Sequence, residues 1–489
     1  MLTSVYIIGK AGKNMEHLIW NEIKNKYQQS AYDSQNIAQL LKEEIEKSGL
    51  KLVVLDDDPT GVQTVHGVYV YTDWSYESIL QGFMEKERLF YLLTNSRGLT
   101  EEQTTQLHRE IMQNVIKASR QTGRKFLIIS RSDSTLRGHY PLETKLLKEE
   151  LEHGEGIRVD GEILIPFFQA GGRFTIDNVH YVKYGEELVP AAETEFARDK
   201  TFGYTKSDLC EYIEEKNMGT YRSGDVAAIS LEEVRGASLA SIEKVLEGVT
   251  GFGKVIVNAI EPKDLEVFGV ALYRAVRKGK YFLLRTAADF VRAVGGISEK
   301  ALLKKADMIT EESGRGGIVV IGSYTAKTTE QLSALRHMEQ LVFFEFKSDL
   351  VLEDKLEEEV KRITQLSSRY IEHGKTVVTY TGRTLLTLEN DTKEDALLRS
   401  VKISEAVQKL VQNLSAKPKF VVAKGGITSS DIGVKALHVR KAYVLGQVLP
   451  GIPVWKTDDD SRFPGIPYII FPGNVGEHDA LRRVIEELL

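Results

Sequence analysis

Three short stretches in the first half of the chain concentrate groups able to do acid–base and anion chemistry. "LDDDPTGVQTV" at 55–65 sets Asp56, Asp57 and Asp58 directly behind an apolar run. "NSRG" follows a second apolar run with Asn95, Ser96 and Arg97. "RSDSTLRGHYPLE" packs Arg131, Asp133, Ser134, Thr135 and Arg137 into seven positions. An arginine offers a planar fork matched to carboxylate or phosphate. An aspartate beside it can accept bonds from hydroxyls or act as a general base. Together they suit a small, polyhydroxylated, anionic ligand. Plainer roles are open to the same residues: the aspartates can make a turn or cap a helix, and Arg131 and Arg137 can pair with Glu143 on the surface. "GGRFTIDN", with Arg173 and Asp177, can be an ordinary turn.

The second half repeats a different plan three times. "IVVIGSYTAKTTEQLSALRH", "FVVAKGGITSSDIGVKAL" and "YIIFPGNVGEHDALRRVIEELL" each read as strand, glycine-containing loop, helix. A helix N-terminus presents unpaired amides and partial positive charge, and glycine lets the backbone approach an anion closely. Gly322, Ser323, Lys424, Gly425, Gly426, Gly473 and Asn474 are the expected lining of an anion crevice on the carboxyl edge of one sheet. Glycines after strands also make simple turns. The standard phosphate-loop and dinucleotide fingerprints are absent, so a nucleotide site here is of a non-standard kind.

The elements that carry these groups alternate along the chain. "KLVVLD", "LFYLLTNS", "KFLIISRS", "GEILIPFF", "KVIVNAI" and "KYFLLRT" read as buried strands separated by helical stretches such as "TEEQTTQLHREIMQNVIKASRQTG". This rhythm predicts an α/β fold of two domains, each a mostly parallel or mixed sheet flanked by helices. The lysine-rich "SEKALLKKADMITEE" and then "SGRGG" mark a boundary, giving domains of 1–305 and 306–489. Residues 180–204 break the rhythm and read as a long excursion or short hairpin.

Composition narrows the function classes. At 489 residues the chain exceeds one ordinary core, and 42% hydrophobic with 27% charged residues is a soluble, globular balance. A formal charge of −6 gives no basic footprint for nucleic acid or an anionic membrane. One cysteine, Cys210, excludes a disulfide framework and a multi-cysteine zinc site. His66, His139 and His180 lack metal-ligand spacing and read as structural, so no protein-held metal is expected. No secretory pattern and no membrane-length apolar run are present, so a cytoplasmic protein is expected.

The motifs in order, "DDPTG", "NSRG", "SDSTLRG", "GGRFTIDNVHYV…ETEFARD", "KGGITSSD" and "PGNVGE", resemble the four-carbon acid sugar kinase family across nearly the whole chain from residue 52. The resemblance implies an N-terminal domain for a sugar acid (threonate, erythronate or an oxo-tetronate) and a C-terminal domain for ATP. It places the acid at Asp57 or Asp58, Arg97, Ser132, Asp133, Ser134, Thr135 and Arg137. It places ATP at Ser323, Gly425, Gly426, Ile427, Thr428, Gly473, Asn474, Val475 and Gly476. The implied reaction transfers the γ-phosphoryl group to a hydroxyl, with Mg²⁺ bound through the ATP phosphates and Asp57, Asp58 or Asp133 as base. Pro59 and Arg131 depart from the usual pattern, which keeps a branched acid of the 3-oxo-isoapionate type among the substrates. No nucleic acid or membrane partner is implied, and a homo-oligomer is left open. A sugar-acid dehydrogenase or isomerase, or a non-catalytic sugar-acid sensor, are the competing readings.

Overall fold

The computed structural model describes residues 16–489 apart from 29, 33, 59, 60, 311, 312, 384, 385, 387, 389, 390 and 474, with the backbone alone at 34, 35, 155, 393, 394 and 397. Runs such as Lys51–Asp56, Leu89–Leu93, Phe126–Arg131 and Phe282–Thr286 are buried at every position. A strand apolar on both faces must be covered on both faces, and parallel sheets with helical crossovers do that. The crossover helix Glu101–Thr122 shows how the sequence sets one up. Thr100 and Gln103 form a capping box at its start, and Gly123 closes it in the left-handed conformation. Leu107, Ile111, Val115 and Ala118 form its buried stripe.

Eight parallel strands make the first part of the main sheet. Their spatial order is Ala227–Ile229, Gly253–Val257, Gly161–Ile165, Phe282–Thr286, Phe126–Arg131, Lys51–Asp56, Leu89–Leu93 and Val68–Tyr71. The second part does not form a separate sheet. Lys441–Leu449 pairs antiparallel with Val68–Tyr71, and Ile452–Thr457 and Pro467–Phe471 continue antiparallel. Val421–Lys424, Ile318–Ile321, Thr376–Thr381 and Leu341–Phe346 then follow in parallel, giving a 15-stranded sheet. The apolar layer crosses the seam through Val68, Val70, Ala442 and Val444.

Strand direction reverses across the seam, so in a flat sheet the two carboxyl edges would point opposite ways. The usual twist of roughly 20–25° per strand turns the two edges out of strict opposition. A smaller antiparallel sheet, in the order Leu18–Ile19, Glu187–Pro190, Val179–Tyr184 and Arg173–Ile176, takes up the first part of the segment that broke the sequence rhythm. Trp20 stacks on Phe174 at 4.2 Å and pins the N-terminal strand to it.

Candidate functional site

The acidic turn sits at the carboxyl end of Lys51–Asp56, between the ends of Leu89–Leu93 and Phe126–Arg131. Its three aspartates have three different surroundings. Asp56 turns inward: its Oδ1 accepts from the Asp58 amide at 3.2 Å and from Arg131 Nη1 at 3.1 Å. A Cβ at Gly61 would overlap that carboxylate, which is why glycine closes the turn. Asp58 pairs with Arg97. Asp57 lies between them, 3.3 Å from Arg97 Nε and 3.7 Å from Arg131 Nη1. Among the described residues both its oxygens are buried without a hydrogen-bond partner, and burial lifts its pKa to about 7 against the pull of Arg97 and Arg131.

Asp133 completes the cluster. Arg137 Nε donates to it at 2.6 Å, the Thr135 hydroxyl donates to it, and Arg97 Nη1 stands 3.8 Å away. Burial would raise this carboxyl, but Arg97 and Arg137 outweigh it and hold the pKa at about 2. The two aspartates on either side of Arg97 are thus pushed apart: one permanently ionised, the other poised near neutrality. Such a pair can hold one polar group and take a proton from another.

The loop carrying "SDSTLRG" is fixed from behind. Leu136 has φ 67°, an uncommon conformation for a branched side chain. Its carbonyl accepts from the Tyr212 hydroxyl at 3.0 Å, that of Thr135 from Tyr204 at 2.8 Å, and that of Ser134 from His180 Nε2 at 2.8 Å. Burial lowers His180 to about 4, so its ring is neutral and acts as a loop support. His66 and His139 likewise bond backbone carbonyls, of Ser298 and Leu99. Cys210 is buried in the helix Leu209–Lys216, its thiol pushed up to about 12 by burial. Glu143 is not the surface partner of Arg131 or Arg137 that its position in sequence allowed. It is buried, pairs with Arg285, and accepts from the Ser96 hydroxyl at 2.6 Å. Gly138, at φ 130°, faces Arg285, Asp57 and Ser132; a Cβ there would come within 3.3 Å of Asp57 Oδ2.

In the second half the three glycine loops converge at the ends of the adjacent strands Ile318–Ile321, Val421–Lys424 and Pro467–Phe471. A Cβ at Gly322 would overlap Thr428 Oγ1, and one at Gly425 (φ 122°) would lie 3.3 Å from Ser323 Cβ. The Thr328 hydroxyl donates to the Gly473 carbonyl at 3.2 Å. Ser323, Gly425, Thr428 and Gly473 therefore share one crevice. Val475 and Gly476 are tied beside it, their carbonyls facing Gln331 Nε2 at 3.1 and 3.4 Å. Asn474 lies outside the described residues, as do Pro59 and Thr60 of the acidic turn.

Lys424 is fully buried and donates to the Pro472 carbonyl at 2.6 Å, clamping the third loop to the second; burial lowers its pKa to about 7. Arg383 donates to the Ser323 carbonyl at 2.7 Å and to the Thr381 carbonyl at 3.0 Å. Alongside opens a largely apolar pocket of about 200 Å³, walled by Tyr324, Leu386, Ile403, Val407 and Ile427. Ile427 is 74% exposed and Tyr324 52%, a costly display of apolar surface unless a flat ligand covers it.

The elements that carry the acid cluster and the glycine crevice meet. Asn95, in the left-handed conformation at φ 52°, precedes the turn that holds Arg97, and its Nδ2 donates to Ser430 Oγ at 3.0 Å. Ser430 lies in the helix Gly426–Asp431, which opens at the second glycine loop.

Comparison with known families agrees with this division. Residues 52–294 match the family model of a sugar-binding N-terminal domain, and residues 318–481 that of a nucleotide-binding C-terminal domain. The chain belongs to the four-carbon acid sugar kinase family. Among solved structures, this family member is similar to a Salmonella typhimurium LT2 protein carrying the provisional description of a tRNA synthase, at 14% identity and TM-score 0.67, covering 90% of this chain and 100% of that one. It is also similar to a Haemophilus influenzae protein of a family of unknown function, at 17% identity and TM-score 0.61, covering 89% and 100%. At such identities the likeness is one of fold. A search of curated proteins gives no match. Among the described residues no helix is long and apolar enough to cross a membrane.

For this acid sugar kinase family member, sequence reasoning left out Arg285 and Arg383, read Glu143 only as a surface partner, and read Arg173 only as part of a turn. Arg285 closes an ordinary strand, and Glu143 opens a helix where an acid is expected for the dipole. Neither position carries a local signal. "YTGR" before Thr384 did carry one, a strand ending in glycine, as in the three loops already singled out, with a cation directly after it.

Proposed function

We propose that the protein is an ATP-dependent kinase that phosphorylates a hydroxyl of a small sugar acid. The observation that carries this reading is the Asn95–Ser430 bond, which ties the turn holding Arg97 to the helix that opens at the second glycine loop. Phosphoryl transfer is mostly a matter of positioning and charge neutralisation, so two polar sites of these kinds must abut. The apolar pocket beside Thr428 suits the purine, and the amides of Gly426 and Gly473 suit the phosphates, with Arg383 as a nearby cation. Mg²⁺ carried on the ATP phosphates supplies further charge neutralisation in such transfers.

On the acceptor side, Asp57 is the base of choice. Asp133 is too acidic to hold a proton, whereas Asp57 has two unbonded oxygens and a pKa of about 7. Arg97 orients Asp57, Asp58 and Asp133 around the incoming hydroxyls, with Ser132, Ser134, Thr135 and Arg137 completing the wall. The substrate class is a four-carbon acid such as threonate, erythronate or 3-oxo-tetronate, or the branched 3-oxo-isoapionate.

The test is an ADP-release screen over C4 and C5 sugar acids with and without Mg²⁺, run beside thermal shifts with ATP and NAD. ADP formation that depends on one acid supports the reading. Stabilisation by NAD and not by ATP overturns it in favour of a dehydrogenase.

A further inference from the structure

The arginines around the acid cluster are, with one exception, already neutralised. Arg97 pairs with Asp57 and Asp58, Arg131 with Asp56, Arg137 with Asp133, and Arg285 with Glu143. A ligand carboxylate arriving at any of these has to compete with an aspartate or glutamate in place. Arg173 differs. It opens the strand Arg173–Ile176 of the small sheet, and its guanidinium stands over the Phe196 ring at 5.3 Å. The guanidinium of Arg137 stands over the same ring at 5.2 Å. Among the described residues the Arg173 side chain makes no hydrogen bond and no ion pair, and its Nε is buried without a partner.

The acids that act on Arg173 at longer range are engaged elsewhere. Asp133 is held by Arg137 and Thr135, and Glu195 accepts from the Tyr184 hydroxyl at 2.7 Å. His180, whose pKa Arg173 helps to lower, is neutral. Desolvation draws the Arg173 pKa below the ordinary arginine value, the mark of a cation lacking compensation. Leaving a charge so placed is costly unless something completes it. A guanidinium over an aromatic ring and without a protein acceptor can give its N–H fork to a planar oxyanion, which it binds through two parallel bonds.

We propose that Arg173, set over the Phe196 ring beside Arg137, is the residue that receives the substrate's carboxylate. This rests on the sugar-acid reading of the site and adds to it the determinant that separates an acid from the corresponding neutral polyol. Arg97 and Arg137 then serve to hold the aspartates that meet the hydroxyls. The small sheet and the turns at 191–199, which broke the strand–helix rhythm, are the device that brings Arg173 and Phe196 to the cleft.

The experiment compares wild type with Arg173→Met and Arg173→Lys. The probes are threonate, erythronate and the five-carbon aldonates, each paired with the uncharged alditol of the same configuration, with calorimetric binding and ADP release as readouts. In Arg173→Met the preference for acid over alditol should fall roughly ten- to a hundredfold, through the acid alone, with the KM for ATP unchanged. A merely structural arginine would weaken acid and alditol together. Arg173→Lys keeps the charge and loses the fork, so its preference should fall by about tenfold; it carries the same test if the methionine variant does not fold. An unchanged preference in the folded variants overturns the assignment of Arg173 while leaving the kinase reading intact. If wild type binds no acid of the panel, the sugar-acid reading falls first, and this assignment with it.

Discussion

Asp57→Asn removes one charge and almost no volume from the centre of the ion network, and its two consequences run in opposite directions. If Asp57 accepts the proton of the attacking hydroxyl, turnover falls by roughly 10²–10⁴. Stability does not fall with it. Burial lifts the carboxyl from 3.8 to about 7, a shift of about 3 units at about 1.4 kcal/mol each, so the fold disfavours the ionised form by ~4 kcal/mol. The folded protein therefore holds a proton that the unfolded chain has lost between about pH 4 and 7, and this contribution to stability declines as pH rises through that window. The amide resembles the protonated acid and escapes the decline. At pH 8 the variant should equal or exceed wild type in urea midpoint, while below about pH 4 the two converge. Wild-type kcat/KM should rise about tenfold per pH unit below about 7 and level above it, and the variant should lack this limb. ADP release across pH and urea unfolding at two pH values check both. Asp56→Asn is the control, since its Oδ1 can still accept from the Asp58 amide, and it should change turnover by less than about tenfold. Wild-type turnover in Asp57→Asn, or parallel loss of stability and activity, would refute the argument and mark Asp57 as a structural turn residue.

The nucleotide side is open to a similarly clean perturbation. A Cβ at Gly426 meets nothing within 4 Å, so Gly426→Val should fold normally and project into the crevice, raising the KM for ATP by roughly tenfold or more. An unchanged KM would remove that loop from the nucleotide site. Asn95→Ala deletes the bond to Ser430 and should lower turnover by up to about tenfold with ATP affinity preserved, as a loss of alignment between the two sites. Wild-type kinetics in Asn95→Ala would show that the bond does not align them.

The parts legible in the sequence are those whose signal is local. Runs such as "KLVVLD" and "KFVVAKGG" announce buried strands by composition, and the three glycine loops announce their meeting by repeating one plan. The seam between the two halves was not legible. Val68–Tyr71 is a four-residue strand, and the partner that makes it internal, Lys441–Leu449, lies some 370 residues away, so nothing nearby shows that two sheets will join. The aspartate triplet was readable as a group but not by role. Asp56, Asp57 and Asp58 are distinguished only by Arg131, Arg97 and Gly61 folding against them, which is tertiary information. Arg173 is the extreme case, because its distinguishing property is the lack of a partner, and an unpaired side chain cannot be read from spacing.

The central claim is that phosphoryl is transferred to a hydroxyl of a sugar acid, rather than to water and rather than not at all. Phosphorus NMR of the completed reaction, with ADP quantified in the same tube, measures it directly. One equivalent of a sugar-acid phosphate ester should form per ADP, dependent on the acid, and its formation should be slowed roughly 10²–10⁴-fold in Asp57→Asn. ADP matched by inorganic phosphate instead, or no ester from any acid that the protein binds, would contradict it.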